Sequence, residues 1–113
     1  MDHKTVLEKA NAAISKGDYE TFLSYCSENT KWIFVGDQTL SGKEEVRNYL
    51  ADAYREPPKF DVEYMISEGD FVTAVGVISL LNEDNQWTDY DYCDVWRFQD
   101  GKMAELRGFV IRK

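Results

Sequence analysis

Histidine is all but missing from this 113-residue chain. The single His3 sits close to a terminus, where chains fray, and is expected to be a solvated residue outside any folded site. Without a second histidine, the Ser/His/Asp and Cys/His arrangements of nucleophilic hydrolysis have no base to work with. Cysteine is nearly as scarce: Cys26 and Cys93 are far apart and lack the paired spacing of a zinc site. Both read as reduced, small apolar core residues. Positive charge is in deficit, with 13 Lys and Arg against 21 Asp and Glu and a net charge of −8. No basic cluster offsets that deficit, so nucleic acid and anionic lipid surfaces are excluded as partners. No apolar run approaches the roughly 20 residues that span a bilayer, and Met1-Asp2-His3-Lys4 leads into an amphipathic pattern rather than the apolar core of an export signal. The expectation is a cytoplasmic protein with no membrane partner. There is no internal repeat or disordered linker, and the length suits one domain, residues 1–113, around one core.

What is present is strongly periodic. Thr5-Val6-Leu7-Glu8 is a capping-box pattern followed by Val6, Leu7, Ala10, Ala13 and Ile14 at helical spacing. Gly17 can end that helix and Asp18 can cap a short second one carrying Tyr19, Phe22, Leu23 and Cys26. Lys31 to Val35 reads as a strand with Trp32 and Phe34 on one face, broken by Gly36-Asp37. Ser41-Gly42-Lys43-Glu44 opens a third helix with Val46, Tyr49, Leu50 and Ala53, which Pro57-Pro58 ends. Four strands follow: Phe60 to Ile66, Phe71 to Leu81, Trp87 to Gln99 and Lys102 to Arg112, the last two joined by Asp100-Gly101. Helices early and strands late predict an α+β domain, order ααβαββββ, with a curved, mostly antiparallel sheet wrapped on the N-terminal helices.

Asp94 is the residue that periodicity leaves unexplained. Tyr90, Tyr92, Asp94, Trp96 and Phe98 share one strand face, so a carboxylate stands among rings. It must keep a partner, keep water or stay protonated, because desolvating an unpaired charge is very costly. Strand parity groups Trp32, Phe34, Leu50, Tyr54, Val75, Tyr92, Trp96 and Leu106 around it as the walls of one concave space. Tyrosines at the mouth of that space are the better binding candidates, since a buried phenol needs a partner. Gly108 either leaves room beside Asp94 or marks a bend in the strand. Asp89, Asp91 and Glu63 lie on solvated faces with no histidine in support, so no metal is expected, nor any other cofactor.

The Gly17-Asp18 junction, Trp32, Ser41-Gly42-Lys43-Glu44-Glu45-Val46, Gly69-Asp70, Asp94-Val95-Trp96-Arg97-Phe98 and Gly101-Lys102 together resemble the nuclear transport factor 2-like superfamily, in particular its SnoaL-like polyketide cyclase branch. The resemblance covers nearly the whole chain. It implies a cone-shaped sheet whose open end, covered by helices, holds a small hydrophobic molecule. Ketosteroid isomerase is similar around Asp94, where its matching aspartate is held protonated. Its general-base aspartate would align near Phe34 and its oxyanion-hole tyrosine near Ala10, so that mechanism does not carry over. SnoaL-type cyclases imply instead an acidic pocket residue that moves protons during an intramolecular aldol closure, with Asp94 as the candidate.

Three readings of function stay open on these grounds: a cofactor-free cyclase, isomerase or lyase using Asp94 as acid/base; a noncatalytic carrier of a small apolar molecule; and a protein interaction module. For Asp94 itself the alternative to chemistry is a structural node that ties a hydrogen-bond network between the sheet and helix one. Met65, the second face of Phe71 to Leu81, Phe109 and Ile111 supply more apolar sheet surface than the helices cover. A homodimer through sheet faces is therefore expected, as the resemblance also implies.

Overall fold

The computed structural model describes residues 1–113. Helices α1 (His3–Ser15) and α2 (Tyr19–Ser24) precede strands β1 (Cys26–Phe34) and β2 (Gln38–Ser41), helix α3 (Lys43–Ala53), and strands β3 (Lys59–Glu68), β4 (Phe71–Leu81), β5 (Trp87–Gln99) and β6 (Lys102–Arg112). The class is α+β, as the periodicity predicts. The order differs by one strand, ααββαββββ. Four-residue β2 has no alternation to betray it, because only Leu40 in it is buried; it exists by pairing with β1, Trp32 opposite Leu40. β1 also begins five residues before Lys31. Its first half carries Ser27, Glu28 and Asn29, and is fixed by Thr30, fully buried, whose hydroxyl donates to the Met103 carbonyl at 3.0 Å.

The helix boundaries follow the caps. Asp2, not Thr5, caps α1, its carboxylate accepting from Thr5 N–H at 2.7 Å. That moves the start by three residues and brings His3 into the fold. Its ring stacks on Phe98 with centroids 4.4 Å apart and planes 8° from parallel, and Nδ1 lies 3.2 Å from the Gly69 carbonyl. The expectation of a solvated His3 is thus corrected: a flat ring beside an aromatic strand gains by stacking. Asp18 caps α2 through Thr21 N–H. At α3 the reciprocal bond comes from Glu45, which accepts from Ser41 N–H at 2.8 Å, while Gly42 occupies the capping position without a side-chain bond.

The six strands form one sheet in the order β2-β1-β6-β5-β4-β3. Every neighbouring pair is antiparallel except β1 and β6. Register shifts between Cys26 and Lys31, between Val62 and Tyr64, and between Arg97 and Phe98 interrupt the ladders, and such interruptions bend strands and raise their twist. At the β3 shift the chain passes so close to Gly76 that a Cβ there would collide with the Asp61 carbonyl. Asp100 and Gly101 both take positive φ, 53° and 77°, as a tight two-residue hairpin turn requires.

The curled sheet has a concave and a convex face. Val6, Leu7, Ala10, Ala13 and Ile14 of α1, with Phe22 and Leu23 of α2 and Val46 and Leu50 of α3, pack onto the concave residues Trp32, Val72, Ala74, Trp96, Phe98, Met103 and Leu106. The core therefore fills one end of the cone. No helix is long and apolar enough to cross a membrane. Cys26 and Cys93 are free thiols; burial pushes the Cys26 thiol up to about 12, which makes it an inert core residue.

Candidate functional site

Beyond the packed end, the concave face opens into a cavity of about 330 Å³, with 15 of its 19 wall residues hydrophobic. That is the lower end of the range of roughly 300–1,000 Å³ used for small-molecule sites. Trp32 is the hub of its aromatic floor. It meets Phe22, Phe34, Tyr49 and Trp96 edge-on, with centroids 5.7, 6.1, 6.3 and 5.7 Å away, the arrangement that ring quadrupoles favour. Each ring of the floor is thus braced by another.

Asp94 rises from β5 into this cavity. Its cross-strand neighbours are Ala74 on β4 and Gly108 on β6, so neither flanking strand offers a side chain able to bond to it. A Cβ on Gly108 would stand 3.3 Å from Asp94 Oδ1 and 3.4 Å from the Phe34 ring. Gly108 thus leaves room beside the carboxylate. Asp94 keeps partial accessibility toward the cavity, yet enough protein surrounds it that desolvation alone pushes its carboxyl up to about 7. No hydrogen bond and no cation opposes that push. A carboxyl that titrates near neutrality can both take and return a proton.

Around Asp94 stand phenols rather than charges. Desolvation first, and then nearby acidic side chains including Asp94, raise the hydroxyl of Tyr92 to about 12 and shift that of Tyr49 upward. Burial also holds Tyr54 well above the ordinary range, with Tyr49 and Asp94 adding to the effect. All three are neutral donors at physiological pH. Trp32 Nε1 and the Tyr92 hydroxyl are buried without a hydrogen-bond partner. Asp37, exposed, and Asn11, half-buried, complete the polar part of the wall; no lysine, arginine or histidine reaches it. No group of three or more His, Cys, Asp or Glu side chains converges anywhere in the fold.

The fold brings Trp32, Phe34, Tyr54, Tyr92, Asp94, Trp96 and Leu106 to one wall. Two expected members lie elsewhere. Leu50 is fully buried in the core between α3 and the sheet and does not reach the cavity. Val75 pairs with Cys93, one register position from the Ala74–Asp94 pair, and so points to the convex face. An almost unbroken apolar strand hides its own parity, and only the pairing with β5 reveals it.

Other wall residues escaped the pattern. Tyr49 looks like one more member of the apolar stripe of α3; its hydroxyl at the edge of such a stripe was the available signal. Ile78, Tyr90 and Phe60 join through cross-strand register, Ile78 facing both Phe60 and Tyr90. Nothing local marks Asn11 or Asp37.

A family model for the SnoaL-like domain matches residues 7–106. No curated protein sequence matches the chain. Among solved structures the fold is similar to a putative SnoaL-like polyketide cyclase from Shewanella putrefaciens CN-32, with a TM-score of 0.85 and 13% identity over 98% of this chain and 81% of that one. It is similar to SalBIII, an epoxide hydrolase/cyclase-like enzyme described with a role in pyran ring formation in polyether salinomycin, with a TM-score of 0.86 and 17% identity over 96% and 89% of the two chains. It is also similar to an NTF2-like protein from Burkholderia xenovorans LB400, at a TM-score of 0.74 and 21% identity over 96% and 88%. At such identities the structures establish shared architecture, whereas the family match covers nearly the whole chain. With helices over a curled six-stranded sheet and a cavity at its open end, this chain belongs to the SnoaL-like domain family.

Proposed function

We propose that this protein is a cofactor-free cyclase or isomerase acting on a small, largely apolar molecule held in the cavity, with Asp94 as the acid/base. The observation that carries the proposal is a carboxyl raised to about 7 by desolvation alone, open to an aromatic-walled cavity and flanked by Ala74 and Gly108. In the ionised form it removes a proton from a carbon made acidic by an adjacent carbonyl, and the C–H electron pair moves onto that carbonyl's oxygen. The resulting enolate carbon then attacks a second carbonyl of the same molecule, forming the ring C–C bond. The protonated Asp94 next gives its proton to the new alkoxide. Return of the proton to a different carbon would instead complete an isomerisation. Either course needs only one positioned carboxyl and two ends held in reach. Family membership and the likeness to cyclase-like structures support this chemistry.

The test is a screen of cyclisable β-keto compounds against wild type and Asp94→Asn. Turnover by wild type, lost in a folded Asp94→Asn protein, supports the reading; equal turnover by both eliminates Asp94. A second reading, a noncatalytic carrier, draws support from the predominantly hydrophobic wall. Stoichiometric binding by both proteins with no turnover by either favours it.

The convex face motivates a partner. Tyr64, Ile66, Phe71, Phe109 and Ile111 are exposed there, Ile111 by 69%, and an apolar surface of this kind on one side of a sheet is what an isologous interface covers. A homodimer through sheet faces is part of the proposal. So is a cytoplasmic setting, which suits the two free thiols.

A further inference from the structure

The proposed proton transfer leaves negative charge on the substrate's oxygen, and the cavity wall contains no cation to receive it. Neutral donors must do so, since stabilising charge where it develops is commonly the largest contribution to catalysis. Four hydroxyl-bearing rings line the cavity: Tyr49, Tyr54, Tyr90 and Tyr92. Tyr90 lies four residues along β5 from Asp94, roughly 13 Å at strand rise, too far to receive an oxygen one or two bonds from the carbon that faces Asp94. The Tyr92 hydroxyl is buried beneath the accessible wall.

Tyr49 and Tyr54 remain. Tyr49 lies within α3 and Tyr54 caps its C-terminus, and their ring centroids are 6.2 Å apart. Both rings keep partial accessibility. Neither hydroxyl gains a hydrogen bond from the protein, and each feels the Asp94 charge. The Tyr19 hydroxyl donates to the Tyr54 carbonyl at 3.4 Å, and the Phe34 ring lies 5.2 Å from that of Tyr49. The pair is therefore braced from behind while its hydroxyls stay uncommitted.

We propose that Tyr49 and Tyr54 hold the carbonyl oxygen of the substrate opposite Asp94, and that the substrate class is an uncharged, flat, enolisable ketone. The inference rests on the acid/base reading of Asp94. Anionic relatives are excluded, because Asp94 and Asp37 both face the cavity and no cation compensates them.

Three probes that share one flat bicyclic ring system separate the contributions: 2-acetylnaphthalene, naphthalene and 2-naphthoate, titrated by tryptophan fluorescence into wild type, Tyr49→Phe and Tyr54→Phe at pH 8. Exchange of the acetyl protons for deuterium reports enolisation of the ketone. The expected result is ketone bound more tightly than naphthalene, and naphthoate at least tenfold more weakly than the ketone. Each Tyr→Phe change should weaken the ketone by about five- to tenfold, the scale of one hydrogen bond, and slow deuterium exchange. Naphthalene affinity should stay constant, which checks that the walls are intact. Equal affinity for ketone and naphthalene with unaffected Tyr variants overturns the inference; deuterium exchange by wild type that Asp94→Asn abolishes would then still keep the acid/base reading. Failure of wild type to bind either neutral probe overturns both.

Discussion

The concave and convex faces of β4, β5 and β6 are made by the same three strands, one residue out of step, and they do opposite things. On the concave face Ala74, Ile78, Tyr92, Trp96, Leu106 and Gly108 are buried under helices or around the cavity. On the convex face Val75, Val77, Cys93 and Val95 are half-buried, and Phe109 and Ile111 are exposed. Both faces carry apolar side chains, and the convex one also bears Asp89, Asp91, Arg97, Glu105 and Arg107. Which face becomes the site follows from the curl of the sheet and from the side on which the helices land. A concave surface covered at one end leaves an internal space, while a convex one can only be covered by another molecule.

The largest effect should come from the concave face. Asp94→Asn is expected to lower turnover by about 10²–10⁴-fold, the usual contribution of a positioned acid/base, with near-ultraviolet circular dichroism unchanged. A variant of similar shape that retained full turnover would reduce the concave face to a binding surface.

The same residue gives a stability signature that the convex face lacks. Its carboxyl ordinarily titrates at 3.8 and is raised to about 7 in the fold. Between those values the native state binds more protons than the unfolded one, so stability falls as pH rises from about 4 to 7 and levels off above 7. The loss is at most about 4 kcal/mol. Urea unfolding of Asp94→Asn should remove that slope and give the more stable protein at pH 8.

On the convex side, Phe109→Asp with Ile111→Asp places like charges across the proposed interface and should raise the dimer dissociation constant by about 100-fold or more. Sedimentation equilibrium at tens of micromolar, roughly the scale of a weak interface, reads it directly. A monomeric wild type would show that the convex face needs no cover. Cavity ligand affinity should not move, because these side chains point away from it.

Gly108→Ala sharpens the comparison further. The added methyl meets Asp94 Oδ1 and the Phe34 ring at 3.3 and 3.4 Å, so it should cost about 1–3 kcal/mol in ligand binding or stability. The smallest effect belongs to Val75→Thr. It should leave ligand affinity within about twofold, as expected of a surface change away from the site, and isothermal titration of any cavity ligand measures it.

Much of this was legible from residues alone. Period-two alternation placed Tyr92, Asp94 and Trp96 on one face of β5, and helical spacing gave the buried stripes of α1 and α3. Where alternation failed, so did the reading. Val75 sits in a run of apolar residues with no parity to read, and Leu50 belongs to a helical stripe too wide to say which members touch a cavity and which touch the core. His3 looked peripheral until Asp2 capped the helix ahead of it and Phe98 arrived from the far end of the chain.

The sequence by itself determined the class of fold, the single carboxylate among rings, and the want of a second histidine. Those are local properties: periodicity, cap chemistry and residue type survive without knowing what lies opposite. Only the tertiary structure decided that Ala74 and Gly108 flank Asp94, that Tyr49 joins Tyr54 on the cavity wall, and that the carboxyl is desolvated to about 7. Each depends on strand register and helix placement, which set the distance between groups remote in the chain, and it is that distance, with the water it excludes, that fixes what a side chain can do.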